Sequence, residues 1–377
     1  MSNDLTAVAP KLLAQGLLAL RSMNCMPSLV NNSYSSEFAN KGLTVDVPLP
    51  SAITVGDVAP AATPPATGDV TPTVAKVTLD QWKEAAFYLT DKDMQQAMDG
   101  TIPMQASEAI KGIANVVNAY IFSLYKGVYG WAGAAGTTPF ASSTTEATQL
   151  RGVLNKQFCP PSDRRLVIDP DAEAKALDLR AFTDSSWVAS PEAIVNGNIT
   201  RKLGFDWFSD QQVPTHTTTA FTAGAVTANG VNALGATTVS IAKATNAGAL
   251  IVGDIITFAG DTQTYVVTAA ATLIVGNTNV SILPGLKKAT AGGEAVTLKA
   301  SHVVNLGFHR DAFAFASRPM SDIGDGLGNI IQAASDPVSG ISLRMEISRE
   351  HKRTRFAYDI LYGATLIRPE LAARLAG

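Results

Sequence analysis

Four histidines, at positions 216, 302, 309 and 351, are the first side chains to weigh for acid–base or metal chemistry. His216 and His302 bracket a long apolar stretch, so the two rings lie near each other if its ends meet. A metal site or a general base at such a pair needs patterned Asp, Glu or Cys partners. None accompanies either histidine, and both read as structural. Asp169, Asp171 and Glu173 could pass for a metal cluster. They also fit a helix start, with an Asp cap, Pro170 at the first helical position and acids in the first turn.

GDGLGN (324–329) resembles a dinucleotide loop only superficially. Asn329 stands where the last glycine belongs and no strand precedes it, so it reads as a turn. Asp322 and Asp325 are too few for a calcium loop. The sequence has no GxSxG, HExxH, GxxxxGK[ST] or CxxC motif. It therefore reads as a non-enzyme, with no cofactor and no metal.

Arg349, Lys352, Arg353 and Arg355, with Glu350 among them, form a basic turn in SREHKRTR. It is small and lacks interleaved stacking aromatics, so it is a weak nucleic-acid patch. Two readings stay open: a solvated hairpin tip, or ion pairs with an acidic neighbour around Asp46, Asp57 or Asp69. Lys76 belongs to the same set of subunit-contact residues.

Composition sets the bounds. The 377 residues carry 29 basic and 32 acidic side chains, a net charge of −3, which argues against a strongly basic nucleic-acid binder. Cys25 and Cys159 are far apart and read as free thiols of a reducing compartment. LLAQGLLAL is short, lies between Lys11 and Arg21, and has no clear cleavage site. LIVGDIITFAGDTQTYVV is apolar but broken by Asp254, Asp261 and glycines, well short of the roughly 20 residues a bilayer needs. These features read as a cytosolic product with no membrane segment.

The elements that must position these residues follow from periodicity. Residues 4–24 suit an amphipathic helix that docks on the body or on a partner. GLTVDVPLPSAI and TPTVAKVTL alternate with period two and read as two strands joined by a Pro-rich tip. That hairpin is either a loose surface loop or an arm that orders on a neighbouring subunit. From Ile110 to Trp131 apolar residues recur at i, i+3, i+4 and i+7, which predicts one long helix over 107–131. A helix capped by Thr144 or Thr145, the short strand RLVI and the Asp169-capped helix follow. Ile341–Ile347 and Phe356–Tyr362 alternate and predict a long antiparallel hairpin with one buried face.

One interruption organises the whole. From about Thr217 to Ala300 the chain turns almost charge-free and rich in Ala, Gly, Thr and Val. It offers the strands TTVSIA, DIITFAG, TYVVTA and VSIL between turn residues, which suits a small β-barrel or sandwich set into a loop of a mixed host.

TVAKVTLDQWKEAAFYLTDKDM, LVIDPDAEAKAL, LGFDWFSDQQVPTHT, LGFHRDAFAFASRPM and GISLRMEISREHKRTRFAYDILYGATLIRPE, in this order, resemble the major capsid protein of tailed bacteriophages. The β module, with LIVGDIITFAGDTQTYVVTA, is similar in kind to the insertion of the Salmonella-type short-tailed-phage coat proteins. The resemblance implies an α+β capsid fold with an N-terminal arm (1–40) and an extended loop (41–80). It implies a peripheral domain (81–140 and 336–377), an axial domain (141–216 and 303–335) and an inserted β domain (217–302). It further implies pentamers and hexamers in an icosahedral shell around double-stranded DNA, a portal protein at one vertex, and later expansion. Because the chain begins directly with the arm, a separate scaffolding protein is expected. The alternative is another virion component, a tail or decoration protein.

Overall fold

The computed structural model describes residues 25–34, 42–50, 60, 72–92, 101–184, 196–197, 199–219, 226–243, 248–320, 329–336 and 339–377, without the side chains of 101–104. The helix expected over 4–24 and the loop 324–328 lie outside them.

A short helix α1 (Met26–Leu29) packs on the long helix of the molecule, and the backbone N–H of Met26 donates to Asn118 on that helix. Strands β1 (Thr44–Leu49) and β2 (Thr73–Thr78) form the expected antiparallel hairpin, with Asp46 directly opposite Lys76. Val47 and Val77 turn inward onto Ala314, Ala316 and Leu361, while Asp46, Val74 and Lys76 face solvent. The described part of this hairpin thus lies on its own chain. β3 (Gln81–Thr90) follows almost immediately.

The long helix α2 runs Thr101–Ser123 and continues as a 3-10 turn, Leu124–Gly127. The expected helix over 107–131 therefore starts earlier and stops sooner. Val128 lies past its end and Trp131 belongs to a strand, β4 (Gly130–Gly133). The reason is tertiary. Gly130–Gly133 pairs in parallel with the C-terminal strand, and that ladder competes successfully with a helical periodicity carried only by side chains. Next come α3 (Thr145–Lys156), β5 (Arg164–Ile168), α4 (Pro170–Asp178), α5 (Arg180–Thr183), β6 (Asp206–Ser209) and β7 (Thr215–His216). Asp169 caps α4 as expected, accepting from the N–H of Ala172 at 3.3 Å.

A β-rich stretch then contains β8 (Val226–Ala228), β9 (Thr238–Lys243), β10 (Gly248–Leu250), β11 (Ile255–Phe258), β12 (Tyr265–Val267), β13 (Ala271–Leu273), β14 (Gly276–Leu283) and β15 (Val296–Leu298). Six of these form a sheet in the order β15-β11-β12-β14-β9-β8, and β10 pairs β13. Val239, Ile241, Ile256, Phe258, Tyr265, Val267, Val280 and Ile282 form a core of their own. The main core is separate and is built on α2, α3 and two further sheets.

One of those sheets has the order β4-β21-β16-β5-β6 and includes β16 (His302–His309) and β21 (Ala372–Ala376). The other joins β17 (Phe313–Arg318), β18 (Ile330–Ser335), β19 (Ser342–Glu350) and β20 (Arg353–Leu366), with β3 paired along β20. β19 alternates as expected. β20 does not: Phe356 to Ala364 are all buried, because the strand has neighbours on both edges and α2 packs on the same sheet. The basic turn is also tighter than expected. Ladder pairing reaches Glu350–Arg353, so only His351 and Lys352 turn, and Lys352 takes a φ of 56°.

Candidate functional site

The chemistry-bearing residues meet at the junction between the two cores. β7 and β16 pair so that His216 lies directly opposite His302, with ring centroids 5.5 Å apart. The chain therefore leaves the main body at one strand and returns on its neighbour. The 3-10 turn contributes Tyr125, the stretch before β11 contributes Gly253 and Asp254, and β21 contributes Arg374.

His216 Nδ1 lies 3.0 Å from Tyr125 Oη, and His216 Nε2 lies 2.9 Å from Asp254 Oδ1. With Asp254 ionised, the consistent assignment has His216 donating through Nε2–H and accepting the tyrosine O–H at Nδ1. Asp254 Oδ2 accepts the N–H of Ile251 at 2.8 Å. Arg374 is fully buried and donates through Nη1 to Gly253 O at 2.8 Å and through Nη2 to Tyr125 O at 2.9 Å. It therefore grips both sides of the junction, with its guanidinium 5.0 Å from the centre of the Tyr125 ring. Burial lowers the Arg374 pKa to about 9, so it stays a cation at neutral pH and balances Asp254.

His302 hydrogen-bonds Ala300 O through Nδ1 at 2.9 Å and packs edge-on against Trp131. Burial first, then the nearby Arg374 and His216, push its pKa down to about 4, so its ring is neutral at pH 7. Tyr125, His216 and Asp254 line up as a hydroxyl–imidazole–carboxylate relay. All three are buried, and desolvation raises the tyrosine pKa, which keeps its proton on oxygen. The cluster thus holds two parts of the chain together. Among the described residues no group of three or more His, Cys, Asp or Glu is arranged to hold a metal.

The pairing of His216 with His302 follows from the expected loop insertion. The roles of Tyr125, Asp254 and Arg374 do not. A usable signal exists for two of them, since Asp254 is the lone charge in LIVGDIITF and Arg374 the lone charge in LAARLAG.

The basic residues find acids within the chain. Arg349 pairs with Asp91 at 2.7 Å and Arg355 pairs with Glu84. Arg353 pairs with Glu350 and lies 4.4 Å over the Tyr88 ring. Lys352 is exposed at the turn. Asp46 and Lys76 face each other across the β1–β2 hairpin, and Asp57 and Asp69 lie outside the described residues. Glu84 and Asp91, both on or next to β3, are the partners that sequence reasoning missed. The residues at 349–355 and those on the hairpin are not brought together among the described contacts.

Cys25 and Cys159 are free, as expected, and burial raises both thiol pKa values, that of Cys25 to about 12. Among the described residues no helix is long and apolar enough to cross a membrane.

No family model matches the chain, and no curated protein matches it. Solved structures do. One from Mycobacterium phage Che8 superposes with a TM-score of 0.56 at 13% identity, over 93% of this chain and 90% of that one. The capsid structure of the cyanophage P-SCSP1u gives 0.48 at 11% identity, over 89% and 83%. The mature capsid of bacteriophage PhiM1 gives 0.47 at 10% identity, over 89% and 82%. The chain shares the fold of the Mycobacterium phage Che8 structure.

Proposed function

We propose that this chain is a shell-forming capsid subunit of a tailed phage. The observation that carries the reading is the likeness to a phage structure over nearly the full length of both chains. The finer assignment is the arm at 1–40, the extended loop at 41–80, the peripheral domain at 81–140 and 336–377, the axial domain at 141–216 and 303–335, and the Salmonella-type inserted β domain at 217–302. It is supported by the separate core of the β-rich stretch and by the adjacent, paired ends of that stretch.

On this reading the subunit acts by association alone. Copies close into pentamers and hexamers through heterologous contacts, aided by a separate scaffolding protein in the host cytoplasm, with a portal protein at one vertex. The finished virion encloses double-stranded DNA, and a net charge of −3 suits a wall that does not grip it. Expansion is rigid-body rotation of packed domains. Asp46, Asp57, Asp69, Lys76, Arg349, Lys352, Arg353 and Arg355 remain the proposed subunit contacts. Lys352 is the most available of the basic group, because Arg349, Arg353 and Arg355 already have acids within the chain.

The test is negative-stain electron microscopy of the protein expressed alone and with its adjacent open reading frames. Closed shells, rings or tubes are expected, and shells that require one co-expressed product identify the scaffold. Discrete monomers or dimers in every combination overturn the reading and favour a tail or decoration component.

A further inference from the structure

Helix α3 ends in a Schellman motif. Cys159 N–H donates to Leu154 O at 3.0 Å, and Phe158 N–H donates to Asn155 O at 3.1 Å. The left-handed position of this motif, ordinarily glycine, holds Phe158 with a φ of 58°. A Cβ in that region costs roughly 1–2 kcal/mol. The Phe158 side chain is also 92% exposed. A single exposed apolar residue needs no explanation. An exposed aromatic at a backbone site that glycine would occupy without strain is different, because its ring contributes nothing to the fold of its own chain.

The support beneath Phe158 is stiff. Cys159 is buried, Pro160 and Pro161 follow, and the buried Arg164 side chain donates to the carbonyls of both Pro160 and Cys159. The ring is therefore presented as a preorganised knob, which lowers the entropic cost of docking it.

The same sheet carries a hole. A cavity of about 460 Å³ lies along β6, with Ile168, Ile199, Trp207 and Phe208 as its apolar lining and Glu173 and Arg201 among its charged residues. That volume is in the range of pockets that enclose small organic groups, roughly 300–1,000 Å³. Knob and hole are different patches of the chain: Phe158 follows α3, which packs on β4 and β21, and the hole lies along β6. β6 ends the strand order β4-β21-β16-β5-β6. Gln157, next to Phe158, lies against Gly130 of β4, where an added Cβ would meet its amide nitrogen at 2.9 Å.

The flanking charges match as well. Exposed Lys156 and Asp163 sit beside the knob, and Glu173, Asp206 and Arg201 border the hole. Lys156 can meet Glu173, while Asp163 would share Arg201 with Asp206, its partner at 3.8 Å within the chain.

We propose that Phe158 of one copy seats in the β6 hole of a second copy. The contact is heterologous, since knob and hole are different patches and join copies head to tail, the arrangement that generates rings. This inference rests on the assembly reading and names one residue-level contact within it.

The experiment places p-benzoyl-phenylalanine at position 158 of the full chain and irradiates assembled particles. Cross-links from position 158 to the peptide spanning 199–209 of another copy are expected. No cross-link, or one mapping elsewhere, overturns the proposal. A second measurement uses Phe158→Gly, which relieves the backbone strain. Its unfolding midpoint as a monomer should equal or exceed that of the wild type, while its yield of particles falls at least tenfold. Thr200→Trp, at an exposed lining position of the hole, should lower the yield similarly. If the wild type and both variants assemble alike, the contact is wrong and the assembly reading stands. If the wild type never assembles under any condition, both fall.

Discussion

At the scale of single residues, the junction between the two cores is the most constrained part of the chain. Arg374 and Asp254 bring opposite charges into a buried seam where each charge and each freed carbonyl depends on the others. Removing one partner leaves the remainder uncompensated, which typically costs about 3–5 kcal/mol. Arg374→Met should destabilise by that amount in urea unfolding. The double variant with Asp254→Asn should cost less than the sum of the two single changes. Additive effects would show that the two charges do not sense each other. His302 supplies a pH dependence with a definite sign. Its folded pKa of about 4 lies below its unfolded value, so the unfolded chain takes up the proton first on acidification. Relative to His302→Gln, the wild type should lose stability between about pH 6.5 and pH 4, by about 3 kcal/mol in total. The difference should be flat above that window. A wild-type advantage that shrinks as pH rises through that window would contradict a buried neutral ring. From sequence, these histidines were legible only as neighbours. What surrounds them depends on residues distant in sequence, 91 positions for Tyr125 and 38 for Asp254 beside His216.

At the scale of elements, strand and cap signals were read well where they are local, and poorly where a partner strand decides. Asp169 caps its helix because the cap is a contact across three residues. The apolar spacing through Trp131 continues past the true end of α2, since nothing local reveals that Gly130–Gly133 will pair with the C-terminus. The β1–β2 hairpin was legible from its period of two, but its seat on β20 was not. That seat depends on Gly363, where a Cβ would lie 1.9 Å from the backbone oxygen of Thr78. No side-chain rotation relieves a clash with backbone. Gly363→Ala should therefore lift the hairpin from the sheet, raising its rate of cleavage in limited proteolysis at least tenfold and destabilising the chain by roughly 1–3 kcal/mol. An unchanged digestion pattern would mean that Val47 and Val77 do not hold the hairpin in place.

At the scale of the whole molecule, two cores share one chain. Within the proposed inserted domain, 217–302, the described residues bury an apolar cluster of their own, next to the paired strands β7 and β16. Expressed alone, this segment should give a dispersed NMR spectrum and a cooperative unfolding transition. It should be less stable than in the full chain, because Ile255 and Val266 would lose Tyr129 as a packing partner. A collapsed spectrum without a transition would mean that the seam is needed to fold it. The change of composition near Thr217 marks where the described residues turn to short paired strands. By itself, the sequence determined which segments alternate, where Asp and Pro start a helix, and that a β-rich stretch interrupts a mixed host. Each of these follows from interactions between residues close in the chain. Tertiary structure alone decided that β20 is buried on both faces, that α2 stops before Trp131, and that Arg374 closes the junction. These outcomes depend on strand pairing and on charges compensated across long sequence separations, and no local pattern encodes them.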